Sequence, residues 1–171
     1  MKLILMRFKL RIILMVLSLF SLAACAGNPL TVNCLDNKSF YQWFSFNMRE
    51  NSDVEVLDYV YGTPNCPTIS NSEVMRQRGK SNQIDNQFGS IRRAEKLYVK
   101  WLIKSTGQVY EDTVDLKRRL PKDMTNNRIH FSVKSSQLYV YLVTPDKRSP
   151  DMPPNGPKEF QEQKTITIYP D

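Results

Sequence analysis

The sequence predicts an all-β fold, namely a small β-sandwich or barrel with short helical turns. From residue 53 onward, short segments rich in β-branched and aromatic residues alternate apolar with polar positions, as strands with one buried face do. Glycine, proline, asparagine and serine separate these segments at short spacing, and no stretch has the period of a long helix. About six strands of this kind favour a sandwich or barrel, with a β-rich α+β fold as the alternative.

The clearest local pattern is a β-hairpin formed by residues 97–104 and 108–116. A Ser-Thr-Gly turn joins the two segments, and its Gly107 can adopt the positive φ that tight turns need. Successive side chains of a strand point to opposite faces, so we expect one apolar face of the first strand to be buried. That face carries Leu97, Val99, Trp101 and Ile103.

Other segments also have strand character. Residues 39–48 are strongly aromatic, and we expect them to form part of the core, with an amphipathic piece lying on the domain or the membrane surface as the alternative. Residues 138–143 are apolar on both faces, which is typical of a strand covered on both sides. Three further strands are predicted at residues 53–61, 128–134 and 164–169.

Two polar stretches are predicted to lie outside the strands. Residues 64–90 are rich in Asn, Ser and Gln and have few large apolar side chains. They indicate a long surface excursion, with a helical turn at residues 72–77. Residues 144–157 are rich in proline and are predicted to form a loop.

The N-terminus has the pattern of a bacterial export signal. Residues 1–11 carry four basic residues and no acidic one, residues 12–24 are almost entirely apolar, and Leu-Ala-Ala precedes Cys25. The apolar run is too short for a stable spanning helix. Leu-Ala-Ala-Cys resembles a bacterial lipoprotein box, which implies cleavage before Cys25 and lipid on its thiol. An ordinary secretory signal and an uncleaved membrane anchor are the alternatives.

Lipidation at Cys25 would divide the chain and change its charge. Residues 1–24 become a signal peptide, 25–50 a lipidated tether with the aromatic segment, and 51–171 the β domain. Without the signal, 20 Lys and Arg face 17 Asp and Glu, so the net charge falls from +7 to +3. We therefore expect no nucleic-acid partner. Ala26 implies, by resemblance to the lipoprotein sorting rule, an outer-membrane location facing the periplasm.

The chain contains three cysteines. Lipid on Cys25 leaves Cys34 and Cys66, which are expected to form a disulfide in oxidising space outside the cytoplasm. Two free thiols are the alternative. The two cysteines lie far apart and lack the close ligand pairs of a zinc site, so we expect no metal.

The residues predict no catalytic constellation. His130 is the only histidine and falls on the strand face opposite Ile129 and Phe131. A general base there needs a nucleophile and an orienting acid. Asp112 and Asp115 are candidate acids, but no serine or cysteine motif accompanies them. We expect His130 to be an ordinary strand residue, and the protein to be a binding protein without a cofactor rather than an enzyme.

Candidate contact residues come from the surface segments. Arg76 and Arg78 lie in the polar excursion, Arg92 and Arg93 follow it, and residues 151–157 lie in the proline-rich loop. Loops on a rigid β scaffold commonly bind, so we expect these residues to contact a protein partner. A solvated rim is the alternative.

Two stretches carry a family likeness. They are residues 89–101, Gly-Ser-Ile-Arg-Arg-Ala-Glu-Lys-Leu-Tyr-Val-Lys-Trp, and residues 105–116, Ser-Thr-Gly-Gln-Val-Tyr-Glu-Asp-Thr-Val-Asp-Leu. Residues 119–121, 129–131, 137–142 and 167–171 continue it. Over residues 54–171 the chain resembles small proteobacterial lipoproteins that are often encoded beside type VI secretion phospholipase effectors.

The resemblance implies an immunity protein. Such a protein binds a phospholipase toxin in the periplasm and blocks it, while its lipid anchor keeps it at the membrane. A non-catalytic envelope or secretion-system accessory lipoprotein, which would bind a membrane-complex subunit, is the alternative.

Overall fold

The computed structural model describes residues 38–49, 51–63 and 65–171, all of which belong to one compact unit, Cys34–Asp171. Within these residues, nine strands form two sheets packed together, so the described chain is all-β, as the sequence predicts. The predictions for the signal peptide, Cys25 and Cys34 lie outside the described residues.

Sheet A is the larger sheet. It consists of β1 (Ser39–Asn47), β4 (Ile84–Arg92), β7 (Arg128–Lys134), β8 (Gln137–Lys147) and β9 (Gln163–Tyr169). The strand order is β4-β1-β7-β8-β9. β1 and β7 pair in parallel, and the other neighbours are antiparallel.

Sheet B is antiparallel and has four strands. They are β2 (Val54–Thr63), β3 (Cys66–Ser70), β5 (Lys96–Ile103) and β6 (Gln108–Asp115), in the order β3-β2-β5-β6. Two short helices connect strands: α1 (Glu73–Gln77) follows β3, and the 3-10 helix η1 (Lys158–Phe160) precedes β9.

The core between the sheets is rich in aromatic side chains. Phe44 and Phe46 of β1 contact Tyr59 of β2, with ring centroids 6.0 and 4.9 Å apart. Phe131 of β7 stacks on Phe46 at 4.5 Å. The aromatic segment 39–48 is therefore a core strand rather than an amphipathic surface piece, and the β domain begins before the boundary predicted from the sequence.

The predicted hairpin is confirmed. β5 and β6 pair from Ile103 and Gln108 at the turn to Lys96 and Asp115 at the open end, and Gly107 has a φ of +70°. The side chains predicted to face inward are all buried, namely Leu97, Val99, Trp101 and Ile103.

The prediction of one surface excursion at residues 64–90 is wrong, because β3, α1 and most of β4 lie within it. The helical turn is confirmed, and Ser72 Oγ caps it by accepting from the Met75 N–H at 3.3 Å. β3 and β4 are edge strands, and β4 buries only Ile91. Its sequence therefore lacks the apolar alternation that identifies a half-buried strand.

The predicted loop at residues 144–157 begins later than expected, because β8 continues to Lys147. The rest of the segment folds back over the outer face of sheet A, where Asn155 Nδ2 donates to the carbonyl of Thr165 at 3.1 Å. Arg148 holds the two ends of the segment together, because its guanidinium donates to the carbonyls of Gln161 and Met152.

Candidate interaction surface

A row of side chains crosses three adjacent strands on the outer face of sheet A. Phe88 of β4 lies directly opposite Trp43 of β1, and Trp43 lies directly opposite Arg128 of β7. Side chains opposite each other in a ladder are neighbours on the same face, so the register brings these three together. Tyr41, two residues before Trp43, adds another ring to that face. We call these four residues the aromatic face.

The rings of the aromatic face contact one another. Phe88 stacks on Trp43 with centroids 4.2 Å apart and an interplanar angle of 27°. Tyr41 meets Phe88 edge to face at 5.0 Å. Aromatic pairs favour both arrangements, so the three rings support one another. Much of their surface remains open, since Tyr41 is 58% and Phe88 is 55% exposed.

Arg128 is held in a fixed position beside these rings. Its guanidinium carbon lies 5.6 Å from the ring centroid of Trp43 and 5.2 Å from that of Phe160. Nη1 donates to Asn86 Oδ1 at 2.8 Å. Partial burial lowers the pKa of Arg128, yet a guanidinium stays protonated in proteins. Arg128 is thus a positioned, partly desolvated cation.

The composition of the aromatic face is typical of a protein-binding surface. Trp, Tyr and Arg are enriched among the residues that dominate the binding energy of protein interfaces. Adjacent exposed apolar side chains with polar neighbours commonly mark interaction sites. We therefore treat the aromatic face as the candidate functional site.

His130 lies on the face of β7 opposite Ile129 and Phe131, as predicted, and it is nonetheless buried. Its Nδ1 is 2.9 Å from Ser45 Oγ and 3.7 Å from Glu159 Oε1. Burial lowers the pKa of His130 to about 3, so the imidazole is neutral near pH 7.

The geometry around His130 differs from that of a nucleophilic triad. Ser45 and Glu159 approach the same ring nitrogen, whereas a triad bonds its hydroxyl and its acid to opposite nitrogens. A base with a pKa near 3 is also poorly matched to neutral pH. The contact with Ser45 instead links β7 to β1, where the two residues are paired in register.

Two of the arginines predicted to contact a partner make contacts within the chain. Arg76 of α1 pairs with the Asp58 carboxylate at 3.1 Å. At the end of β4, Arg92 Nη1 lies 3.2 Å from Cys66 Sγ, and Nη2 donates to the carbonyl of Pro67 at 3.3 Å. Cys66 is disulfide-bonded, and its predicted partner lies outside the described residues.

The other two predicted arginines have contrasting surroundings. Arg78 is exposed at the end of α1. Arg93 closes the connection that follows β6, because its guanidinium donates to three backbone carbonyls at 2.6 to 3.1 Å, those of Lys117, Leu120 and Pro121. Partner binding by the four arginines stays a prediction, and none of them belongs to the aromatic face.

In the described part of the chain, no helix is long and apolar enough to cross a membrane. Within the same residues, no group of three or more potential ligands is placed to hold a metal ion.

Comparison of the chain with protein-family models, curated proteins and solved structures found no match. The class of protein is therefore defined by its fold and its surface alone. The described chain is an all-β sandwich whose larger sheet presents exposed aromatic rings and a positioned arginine on its outer face.

Proposed function

We propose that this protein is a lipoprotein of the outer membrane, facing the periplasm, that binds a type VI secretion phospholipase effector and neutralises it. The family resemblance over residues 54–171 suggests this class of partner. The observation that supports a binding role is the aromatic face, in which the rings of Tyr41 and Phe88 pack edge to face and are each more than half exposed. Binding of this kind needs complementary surface rather than catalytic groups.

The anchor contributes location. Lipid on Cys25 would hold the β domain at the membrane whose lipids the effector attacks. Each buried CH2 contributes about 0.8 kcal/mol, so more than one chain gives stable attachment. Mass spectrometry of the mature N-terminus should find a lipidated cysteine, and an unmodified Cys25 would contradict the anchor.

A matched variant separates the anchor from binding. We expect Cys25→Ala to leave the membrane fraction yet still bind the effector, because Cys25 precedes β1, the first strand that carries the aromatic face. If this variant protects cells as well as the wild type does, location is not part of the function.

The genetic test concerns a lipase gene, which the proposal expects to find beside the gene for this protein. Deleting the gene for this protein should poison the cell only when that lipase is present, and the two proteins should purify together. A secretion defect that persists without the lipase would contradict the proposal and favour an accessory lipoprotein of the secretion machine.

A further inference from the structure

A cavity of about 280 Å³ lies on the outer face of sheet A, beneath the segment that follows β8. Strand residues form its floor, and the segment entering η1 forms its roof. The cavity is small beside the range of about 300 to 1,000 Å³ typical of drug-sized ligands. Its polar lining includes His130, Ser132, Lys134, Tyr141, Lys158 and Glu159.

The roof of the cavity is held in place by close packing. Gly156 has a φ of +77°, and a Cβ there would lie 2.8 Å from Thr165 Cγ2 and 3.3 Å from Tyr141 Cδ1. Only glycine allows the segment to approach the sheet so closely. Asn155 Nδ2 donates to Thr167 Oγ1 at 3.1 Å, beside its bond to the Thr165 carbonyl. The cavity is therefore preformed.

His130 brings an unpartnered nitrogen to the floor. The residue is 2% exposed, and Ser45 occupies its Nδ1. Among the described residues, Nε2 has no hydrogen-bond partner, and this atom is not completely enclosed by protein. His130 lines the cavity, and Nε2 is the ring nitrogen that remains available to a ligand there. The Ser45 hydroxyl can donate to Nδ1, and this tautomer leaves an N–H on Nε2 to donate into the cavity.

The charges around the cavity favour an anion. Lys134 and Lys158 each carry a positive charge, and neither forms an ion pair with another described residue. Glu159 supplies one negative charge, and His130 is neutral near pH 7. The cavity thus has a net positive charge and several donors, a combination that suits the oxygens of a phosphate group.

We propose that this cavity binds the phosphate group of a small phosphorylated compound, with Lys134, Lys158 and the Nε2–H of His130 as donors. The Glu159 carboxylate accepts an ammonium group when the compound carries one. This site is independent of the proposed function, since it requires neither the effector nor the lipid anchor.

Nuclear magnetic resonance tests the site directly, because the chain has one histidine and its imidazole nitrogen signals need no assignment. The purified full chain is titrated with inorganic phosphate, phosphoethanolamine and acetate. We expect both phosphates to bind and to shift the Nε2 signal, whereas acetate at the same concentration leaves it unchanged. An unchanged Nε2 signal at millimolar phosphate, or an equal response to acetate, would overturn the proposal.

Lysine variants provide the matched control. Lys134→Gln and Lys158→Gln should each weaken phosphate binding about tenfold, the loss expected for one charge-assisted hydrogen bond. Lys147→Gln removes an exposed lysine of β8 outside the cavity and should have no effect. An equal loss in Lys147→Gln would show that general surface charge attracts the anion, and would overturn the site.

A carboxylate variant distinguishes the source of the phosphate. Tighter binding of phosphoethanolamine than of phosphate, lost in Glu159→Gln, supports an ester that resembles a lipid headgroup. Equal binding of the two compounds, unchanged in Glu159→Gln, supports free phosphate at the same donors.

Discussion

Phe88 lies directly opposite Trp43 across the β4–β1 ladder, and the two rings stack with their centroids 4.2 Å apart. β4 buries only Ile91, so this stack is a principal side-chain contact of the middle of the strand. Phe88 nevertheless stays 55% exposed. The pair therefore steadies an edge strand and leaves ring surface open to a partner.

Truncating this ring should weaken partner binding more than it weakens the fold. We expect Phe88→Ala to reduce the affinity for the effector by about 2 kcal/mol, roughly thirtyfold, as at a binding hot spot. The free energy of unfolding should fall by at most about 1 kcal/mol, because the ring is half exposed. Calorimetric titration and urea unfolding measure the two effects.

Ile166→Ala is the control for that variant. Ile166 is 43% exposed on β9, at the opposite edge of the same sheet. Its truncation should leave affinity for the effector unchanged. Equal losses at both edges would show that the aromatic face has no special role.

Gly62 is required by close backbone packing in sheet B. It has a φ of +128°, and a Cβ there would lie 2.7 Å from the Cys66 carbonyl oxygen and 2.8 Å from Thr68 N. Gly62→Ala should reduce the free energy of unfolding by about 3 kcal/mol, because backbone atoms must shift. Gly107→Ala, with a φ of +70° and open space around it, should cost only about 1 kcal/mol of strain. Equal losses in urea unfolding would contradict this account of Gly62.

The strands predicted correctly from the sequence were recognised by different signals. In β5 the signal is alternation, and its four inward apolar residues are all buried. In β8 the signal is apolar residues on both faces, and in β6 it is the glycine turn that joins the strand to β5. β4 and β6 are both edge strands that bury one residue, but only β6 has its pairing partner next to it in the sequence. β4 was missed because it lacks both apolar alternation and an adjacent hairpin partner. Pairing with β1 holds β4 in the sheet, and backbone pairing leaves little trace in side-chain composition.

His130 should make the fold sensitive to acid. In the folded chain burial holds its pKa near 3, against 6.5 for the ordinary side chain, so below pH 6.5 the unfolded chain binds the additional proton. Its contribution to stability is therefore complete above pH 6.5 and is lost as the pH falls toward 3, by about 1.4 kcal/mol per pH unit.

The variant His130→Gln isolates this effect. It has no imidazole to protonate, so its stability should fall less steeply between pH 6.5 and 4, while the carboxylates contribute similarly to both proteins. Urea unfolding at several pH values compares the two slopes. Identical slopes would show that His130 does not titrate differently in the folded and unfolded chains.

Arg93 and Arg78 separate a structural role from a surface role. Arg93→Ala removes donors to three backbone carbonyls and should cost about 2 kcal/mol of unfolding free energy. Arg78→Ala should change stability by less than about 0.5 kcal/mol, because that side chain is exposed. Chemical unfolding of both variants measures the difference. An Arg93→Ala protein with the same free energy of unfolding as the wild type would contradict the structural role of Arg93.

Only part of the aromatic face could be predicted from the sequence. The aromatic richness of residues 39–48 was visible, and it reflects ring side chains on both faces of β1. The neighbours Phe88 and Arg128 lie far along the chain, and only the strand order β4-β1-β7 brings them beside Trp43. Strand order depends on pairing between segments that are far apart in the chain, and a local pattern does not encode that pairing.

The central claim is that this protein blocks a phospholipase effector by stoichiometric binding through the aromatic face. Fatty-acid release from phospholipid vesicles by that effector, measured at increasing amounts of the purified protein, tests it most directly. We expect activity to fall linearly and to vanish at equimolar protein, while Phe88→Ala needs a large excess to reach the same inhibition. An effector that remains fully active with saturating wild-type protein would contradict the account.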